Sequence, residues 1–420
     1  MDSIGRIKVS KSIQYVSFFF LLYYVFFWDT RFIQSSIVLI GLLVLSILNI
    51  IAHQKVRISV PTKGLLVVLL CTLFGGIGTG EAYATRICLQ MLVCFVVFVA
   101  FSLGNLSYKK VIRAFTVLCS FYCAGIFLQT INPALVESVN RFILDASAYS
   151  SYKGWSSYFY YTGFSGFNVM SALFACLLSG IYLSKLFLTK KPLLKRVLYI
   201  SVILLGIIAT VIAQKRGVFV ACGVSTIIMV LITFASKKNA RKFIAAILLL
   251  LILFTGMYYF LQTTEAGVQF IRRFTESDDI SSGRFDVFAF LISESKNTFL
   301  LGKGTGASQA LINMGAHNIY IQIYFDHGII GLLIYLAWFI FNLRYTVKLF
   351  RNNTNIPAVR HMIFVSLYVQ ILFLIYGFFG NPINDIYIFL LYIFFTAMSC
   401  AIQVEIFKRK VQQEINGNER

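Results

Sequence analysis

The chain has 420 residues, of which 59% are hydrophobic and only 13% are charged. Soluble proteins carry roughly 25% charged and about 45–50% apolar residues, so a soluble multidomain enzyme is excluded. Long apolar runs and scarce Pro exclude a disordered chain. Because those runs extend over about 20 residues without alternating polarity, they also exclude a transmembrane β-barrel. The composition therefore predicts an all-α polytopic membrane protein.

About twelve runs are long enough to cross the apolar core of a bilayer. They lie at 13–28, 32–52, 64–78, 87–104, 111–130, 165–188, 197–213, 217–235, 243–261, 319–343, 361–380 and 384–407. An even number of spans places both chain ends on the same side of the membrane. We expect a single integral membrane domain over 1–420 with about twelve transmembrane helices.

The net charge of +21 is unevenly distributed between the two sets of connecting segments. One set comprises both termini and the loops near 53–63, 105–113, 185–196, 236–242 and 344–360. This set holds 26 of the 37 Lys and Arg residues but only four acidic residues. Because cytoplasmic loops are enriched in Lys and Arg, we expect both termini in the cytoplasm. The basic composition therefore indicates topology and not nucleic-acid binding.

Two of the outer connections are long, and long loops in compact proteins usually carry function. The first covers 131–164 and is rich in Tyr, Ser and Trp; the second covers 262–318. Aromatic residues in the first loop suit sugar stacking, but they are equally typical of a membrane-interface belt. None of the eight Cys forms a CxxC pair, so the pattern favours neither a disulfide framework nor a zinc site.

A candidate site begins in the second loop at Arg284. The spacing of the following apolar residues predicts an amphipathic helix with Arg284 as its first residue. Phe285, Phe288, Ala289 and Ile292 would share its apolar face. Such a helix suits the membrane interface.

Further along the second loop, GKGTG (302–306), with Gly304 at its centre, either presents backbone N–H groups to phosphate or is a flexible turn. His317 and Asn318 precede the next span, and His317 is either a solvated interfacial residue or a functional one. Asp326 would lie about 10–12 Å deeper, where a carboxylate needs a partner or a wet cavity.

The short outer turn QKRGVF (214–219) contains Lys215 and Arg216. These side chains either snorkel to headgroups or clamp an anionic lipid headgroup, because Arg can contact phosphate in a bidentate manner. Arg272 and Arg273 are further candidate phosphate contacts. Together the outer residues suit an anionic lipid substrate, with no metal and no cofactor expected.

Three stretches resemble the O-antigen polymerase/ligase family of bacterial surface-polysaccharide assembly (Wzy and WaaL type). They are SGRFDVF (282–288), LLGKGTG (300–306) and AHNIYIQIYFDHGIIGLL (316–333). In that family an Arg begins the outer loop helix and a His-Asn pair precedes a later helix. Arg216 looks like the Arg of the family's earlier outer turn. The family tends to carry Glu where this chain has Asp326.

The resemblance implies a C-type glycosyltransferase of the bacterial inner (cytoplasmic) membrane, with a periplasmic active site and a metal-independent, inverting transfer. The donor would be an oligosaccharide on undecaprenyl pyrophosphate. For that reaction we assign His317 as the general base and Arg216 and Arg284 as the catalytic pair that stabilises the leaving pyrophosphate. The expected substrate-binding residues are Lys215, Arg272, Arg273, Asn318, Asp326 and Gly304.

Within the family we favour a polymerase of O-antigen or related repeat units, which acts in lipopolysaccharide or other surface-polysaccharide biosynthesis. The alternative is a ligase that transfers polymer to lipid A–core. A lipid-linked oligosaccharide flippase is a second alternative, disfavoured because the polar residues gather at one outer face and do not line a central path. Membrane lipid and a polysaccharide chain-length regulator are the candidate partners, and nucleic acid is not one.

Overall fold

The fold is known from a computed structural model. It describes residues 3–53, 58–77, 82–104, 106–234, 240–275, 283–313, 315–352 and 356–418. Ser281, Ser282 and Met314 of the second long loop lie outside these residues. Seventeen α-helices form within the described part, and the only extended pairing there is an isolated bridge between Thr30 and Leu144. The prediction of an all-α polytopic membrane protein is confirmed.

Twelve helices are long. They are α1 (Ser3–Phe27), α2 (Ser35–Ala52), α3 (Val60–Ile77), α4 (Ala82–Ser102), α5 (Tyr108–Ile131), α8 (Asn168–Leu188), α9 (Leu193–Ile212), α10 (Arg216–Phe234), α11 (Ala240–Thr263), α15 (Ile319–Asn352), α16 (Pro357–Tyr376) and α17 (Ile386–Asn418). The shorter ones are α6 (Pro133–Ile143), α7 (Ala146–Ser157), α12 (Glu265–Thr275), α13 (Arg284–Glu294) and α14 (Ala307–Ile312).

Eleven helices, α2 to α5, α8 to α11 and α15 to α17, are long and apolar enough to cross a membrane. The helix α1 is more polar but has 25 residues, which corresponds to about 37 Å. It lies antiparallel to α2, since Ser10 near its start donates to Asn49 near the end of α2 at 3.1 Å. Among the described residues the candidate spans thus number eleven, against about twelve expected from the sequence, and α1 is a further long helix packed beside them.

The bundle has two ends of different character. Near one end, the backbone N–H of Ser107 donates to the Tyr15 hydroxyl at 3.2 Å, so the start of α5 meets the first half of α1. At the opposite end, Trp28 stacks on Tyr387 with the ring centroids 5.1 Å apart, so the end of α1 meets the start of α17. We call the second end the cavity end, because the helices α8, α10, α15 and α17 begin there around the site described below.

Several polar side chains inside the bundle pair with one another, as a low-dielectric interior favours. The Asn342 amide donates to the Tyr392 hydroxyl at 3.1 Å, and the Gln370 amide donates to Thr346 at 2.9 Å. Large aromatic side chains fill the space between α15, α16 and α17; the Trp338 and Tyr392 rings, for example, meet edge to face at 5.6 Å. This packing makes α16 and α17 a firm frame for the turn between them.

The first long outer segment folds into α6 and α7 and is anchored by Asp29. This buried carboxylate accepts hydrogen bonds from the Ser165 hydroxyl at 2.9 Å and the Gly166 N–H at 3.0 Å. The Asp29 carbonyl also accepts from the Asp145 N–H at 3.0 Å, just before α7. The anchor fixes the start of α7 and the end of the aromatic stretch that follows it.

Candidate active site

A cavity of about 790 Å³ opens at the cavity end of the bundle. Its walls come from the starts of α8 and α10, from α12 and α13, from the loop before α15, from the turn between α16 and α17, and from the aromatic stretch after α7. Segments far apart in the sequence therefore meet around one space. The volume is in the range of small-molecule sites.

Four cationic side chains line one side of this cavity, which we call the cationic wall: Lys215, Arg216, Arg273 and Arg284. Arg216 Nη1 donates to the Arg273 carbonyl oxygen, and Arg273 Nη1 donates to the Gln214 carbonyl oxygen at 2.7 Å. The two bonds run in opposite directions between α12 and the turn before α10. They hold the turn and α12 together, so Lys215, Arg216 and Arg273 keep a fixed relation.

Arg284 reaches the same wall from α13. Its Nη1 donates to the Phe379 carbonyl oxygen at 3.1 Å, which connects α13 to the turn between α16 and α17. Close packing under this contact needs Gly217, because a Cβ there would lie 2.5 Å from the Cβ of Phe379. The start of α10 can thus approach the Phe379 segment, and Arg216 and Arg284 share one wall.

Burial and mutual repulsion change the charge states at the wall. Burial, followed by the neighbouring Arg273 and Arg284, lowers the pKa of Lys215 to about 8. Burial also lowers the pKa of Arg284 from its ordinary value. A bound anion would relieve this repulsion, since opposite charge favours the protonated forms. The wall is therefore suited to an anionic group such as a phosphate.

His317 lines the cavity with an exposed side chain and a left-handed backbone, φ +56°. Its neighbours are fixed: Ala316 is buried, and Asn318 caps α15 by accepting from the N–H groups of Tyr320 at 2.9 Å and Ile321 at 3.2 Å. Partial enclosure in the cavity, followed by the positive charges of Arg284 and Lys215, lowers the pKa of His317. The imidazole is thus neutral at pH 7 and able to accept a proton.

Strained backbone occurs on both sides of the site. Gln214 next to Lys215 has φ +57°, and His317 has φ +56°. Left-handed conformations are uncommon for non-Gly residues and cluster at functional sites. Both therefore support the assignment of this cavity as the candidate active site.

Aromatic residues from the first long outer segment pack against the cationic wall. The Lys215 Nζ lies 5.3 Å from the Trp155 ring centroid, and the Arg273 guanidinium carbon lies 4.7 Å from that of Tyr160. Trp155 and Tyr160 stack on each other with centroids 5.6 Å apart. From the sequence, these aromatic residues suited either sugar stacking or a position at the membrane interface. In the structure they also contact the cations Lys215 and Arg273.

Three polar residues that line the cavity are not among those assigned from the sequence. Asn381, Asn384 and Asp385 lie in the turn between α16 and α17 and line the side opposite in charge to the cationic wall. Burial raises the pKa of Asp385 to about 6, against the influence of Arg86 and Lys215. The available signal was the density of polar side chains in NPIND (381–385), the last five residues of the turn between two apolar helices.

The GKGTG segment occupies a break in α15 and not the cavity wall. Gly328 interrupts that helix with φ 64° and ψ −170°. The N–H of Lys303 donates to the Phe325 carbonyl at 2.9 Å, and that of Gly304 donates to the Asp326 carbonyl at 2.8 Å. A broken membrane helix leaves backbone groups without intrahelical partners, and this segment supplies them. Gly304 thus uses its N–H within the protein, although phosphate binding was expected.

Asp326 lies beside the same break. Its carboxylate accepts hydrogen bonds from the N–H of Ser308 at 2.8 Å and of Gly306 at 3.2 Å. The side chain is buried and is not among the described residues that line the cavity. Its contacts hold the start of α14, whereas the sequence led us to expect that it would orient His317 or contact substrate.

The remaining assigned residues are placed as follows. Asn318 adjoins His317 but directs its side-chain oxygen to the start of α15. Arg272 is exposed and, within the described part of the chain, is not one of the residues lining the cavity. The structure thus brings five of the assigned residues together at the cavity: His317, Arg284, Arg216, Lys215 and Arg273. The other four are not among the described residues that line it: Arg272, Asn318, Asp326 and Gly304.

The helix α13 shows two apolar faces where the sequence indicated one. Val287 and Leu291 pack toward Ala316 and Phe325 in the protein interior. Phe285 and Ile292, from the predicted face, remain exposed, and Phe285 also lines the cavity. An exposed apolar face on a helix at the end of the bundle is typical of a membrane-interface position.

Comparison with known families gives one match. Residues 200–336 match the model of a family described as O-antigen ligase. The matched segment contains Arg216, Arg273, Arg284 and His317, whereas Trp155 and the turn after α16 lie outside it. A search of curated proteins finds no match to the chain.

Proposed function

We propose that this chain, whose residues 200–336 match the model of the O-antigen ligase family, is an O-antigen polymerase/ligase-type membrane glycosyltransferase that acts on a lipid-pyrophosphate-linked saccharide. The family is associated with activity of this type, and the chain is a multi-pass membrane protein. The donor we propose is an oligosaccharide repeat unit, or a chain of them, on undecaprenyl pyrophosphate.

One observation carries the proposal: a neutral His and four cationic side chains share a cavity at one end of the bundle. The cationic wall matches a pyrophosphate, which carries several negative charges. The neutral imidazole matches a hydroxyl nucleophile that must lose its proton. Neither feature alone is specific, but their meeting in one cavity fits glycosyl transfer from a lipid pyrophosphate.

The reaction follows from these positions. A ring nitrogen of His317 accepts the proton of an acceptor hydroxyl while that oxygen attacks the anomeric carbon of the donor sugar. The bond between that carbon and the pyrophosphate oxygen breaks, and the configuration at carbon inverts. Because the leaving group is already an anion, it needs positive charge more than a proton. Arg216 and Arg284 supply that charge as the bond breaks.

We propose a polymerase as the specific activity. In a polymerase the growing chain is transferred onto the non-reducing end of a new lipid-linked repeat unit, and free undecaprenyl pyrophosphate is released. The ligase alternative transfers the chain to lipid A–core and is favoured by the description of the matched family. Both use the same donor and the same cavity chemistry.

For orientation, we propose that the cavity end faces the periplasm of a bacterial inner membrane and that both termini are cytoplasmic. The support is the distribution of charge. Lys109, Lys110 and Arg113 lie at the start of α5, which adjoins Tyr15 at the end opposite the cavity. Basic residues mark the cytoplasmic ends of membrane helices.

A deletion strain tests both the reaction class and the type of enzyme. Complementation with wild type, His317→Ala, Arg284→Ala and the control Lys296→Ala is read as surface polysaccharide on a silver-stained gel. Lys296 is an exposed cation of the same outer segment and serves to control for loss of charge. We expect a normal ladder from wild type and the control, and loss of the ladder with the two site variants.

The deletion phenotype separates the two activities. Lipid A–core that carries a single repeat unit indicates a polymerase. Core without any repeat, together with polymer retained on undecaprenyl pyrophosphate, indicates a ligase. A full ladder from the deletion strain, or from both site variants, would refute the proposed function.

A further inference from the structure

The cavity has two sides of different chemistry. The cationic wall suits the pyrophosphate of the proposed donor. The other side is formed by the turn between α16 and α17, with two carboxamides and one carboxylate: Asn381, Asn384 and Asp385. A carboxylate disfavours a second phosphate there, so this side suits a neutral, hydroxyl-rich group.

The turn presents these side chains from a rigid backbone. The Asn381 carbonyl accepts from the N–H of Asn384 at 3.0 Å and of Asp385 at 3.2 Å. The Asp385 carbonyl in turn accepts from the Ile388 N–H at 2.8 Å in the first turn of α17. Pro382 fixes its own φ within the same turn. Side chains held in this way are preorganised for binding.

Asn381 has an incomplete hydrogen-bond set. It is 8% exposed, and among the described residues its Oδ1 has no hydrogen-bond partner. Among the buried side-chain atoms without partners in the described part of the chain, Asn381 Oδ1 is one of three whose residues line the cavity, together with Gln214 Oε1 and Asn384 Nδ2. An unpartnered atom at a cavity is a candidate for contact with a ligand. The side chain also contacts the loop that carries His317, since a Cβ on Gly315 would collide with Asn381 Nδ2.

Asn384 has a simpler explanation than Asn381. A void of about 20 Å³ lies beside it and is lined by Asn384, Gln322 and Asp326, among others. Asn384 Nδ2 and Gln322 Oε1 both lack partners among the described residues. One donor and one acceptor around a void of this size suit a single buried water. The void does not reach Asn381, whose unpartnered oxygen therefore needs another explanation.

We propose that Asn381, with Asp385 beside it, binds hydroxyl groups of the acceptor saccharide. This rests on the proposed function and adds the position of the acceptor sugar. A sugar hydroxyl donates and accepts at once, so a carboxamide oxygen and a carboxylate can hold neighbouring hydroxyls of a pyranose ring. The position beside the Gly315–His317 loop puts the acceptor hydroxyl near the base. The donor pyrophosphate occupies the adjoining cationic wall, which the bond from Arg284 to the Phe379 carbonyl connects to this turn.

The test is Asn381→Leu in the full chain, reconstituted in lipid nanodiscs. Two probes are titrated separately. One is the repeat-unit oligosaccharide released by mild acid from the host's own polysaccharide, with the core oligosaccharide as its counterpart for a ligase. The other is undecaprenyl pyrophosphate. We expect binding of the saccharide to weaken about tenfold, as for loss of one hydrogen bond, and binding of the lipid pyrophosphate to change less than about twofold.

Thermal unfolding separates a binding role from a structural one. Leu removes a buried oxygen without a partner, so the Tm of Asn381→Leu should equal or exceed that of wild type. A lowered Tm together with equal weakening of both probes would show that Asn381 only supports the fold. If Asn381→Leu does not fold, Asn381→Ser serves as a second variant, because its shorter side chain keeps a hydroxyl but does not reach as far. Binding of the saccharide should again weaken more than binding of the lipid pyrophosphate, by the same ratio.

The two proposals fail in different ways. If wild type transfers no sugar from a lipid pyrophosphate donor, the proposed function is wrong, whatever Asn381 does. If wild type transfers sugar while Asn381→Leu keeps both its saccharide affinity and its KM for the acceptor, the acceptor subsite is wrong and the enzyme assignment stands.

Discussion

Arg273 Nη1 donates a hydrogen bond to the Gln214 carbonyl oxygen at 2.7 Å, and Arg216 donates in the reverse direction to the Arg273 carbonyl oxygen. This exchange joins α12 to the turn before α10. The joint explains why cations from two distant stretches of sequence lie on one wall. It also gives Arg273 two roles, since the same guanidinium holds the wall and adds charge to it.

Arg273→Ala should therefore lower both stability and activity. Loss of a charge-assisted hydrogen bond costs about 1.5–3 kcal/mol, and loss of the charge weakens donor binding in addition. We expect a lower Tm and at least about a tenfold rise in the KM for the lipid-linked donor. Arg272→Ala is the matched control, because Arg272 is adjacent and exposed. Equal effects of the two substitutions would contradict this account of the wall.

The pH dependence of kcat/KM should be bell-shaped. His317 must be neutral to accept a proton, and its lowered pKa keeps it neutral below the ordinary value of about 6.5. The acid limb should therefore lie below that value. Lys215 must be protonated to attract the donor, and its pKa is about 8, so activity should fall as pH rises through about 8.

Lys215→Arg tests the alkaline limb. Arg stays protonated at every accessible pH, so the fall near pH 8 should vanish while the acid limb stays in place. Asp385 raises the pKa of Lys215, so Asp385→Asn should move the alkaline limb to lower pH but should not abolish it. An alkaline limb that persists in Lys215→Arg would assign that limb to another group.

Asp326→Ala distinguishes the two roles considered for this residue. In the structure its carboxylate accepts from the Gly306 and Ser308 N–H groups, so its removal should destabilise the protein by about 3 kcal/mol or more. The folded fraction should keep its KM within about threefold. The measurements are thermal unfolding and donor titration of the purified protein. A normal Tm with a raised KM would instead support the substrate contact expected from the sequence.

Gly328→Ala should prevent folding or reduce it severely. The backbone there has φ 64° and ψ −170°, a region that is accessible essentially only to Gly, and a Cβ would collide with the Leu300 carbonyl. Gly223→Ala in α10 is the matched control, since a Cβ there meets nothing within 4 Å. Because Ala favours helix by about 1 kcal/mol over Gly, this control should be neutral or slightly stabilising. The yield of monodisperse protein after solubilisation measures both.

The membrane-spanning helices could be predicted from the sequence because the length of each apolar run indicates such a helix without reference to the other runs. Short local patterns also singled out Arg216, Arg284 and His317, which line one cavity in the structure and whose catalytic roles stay predictions. The sequence could not assign Gly304 and Asp326, because only the tertiary fold shows that the GKGTG segment fills a break in α15. Asn381 and Asp385 were not assigned from the sequence for a related reason: nothing local reveals that their turn lies beside the His317 loop at the cavity.

The contact of Lys215 with Trp155 leads to the last prediction. The Lys215 Nζ lies 5.3 Å from the Trp155 ring centroid, and cation–π contacts contribute about 0.5–2 kcal/mol. Trp155→Leu removes the ring face that positions this cation, so the KM for the lipid-linked donor should rise about three- to tenfold with little change in kcat. Trp155→Phe, which keeps a weaker ring face, should recover part of the loss.

Tyr158→Leu is the control for that prediction, because the Tyr158 side chain is 70% exposed and lies in the same aromatic stretch. Its donor KM should stay at the wild-type value. If Trp155 acts through the positive charge of Lys215, its effect must also disappear above pH 8, where Lys215 loses its proton. An effect of Trp155→Leu that is the same below and above that pH would assign Trp155 to direct contact with the sugar, independent of Lys215.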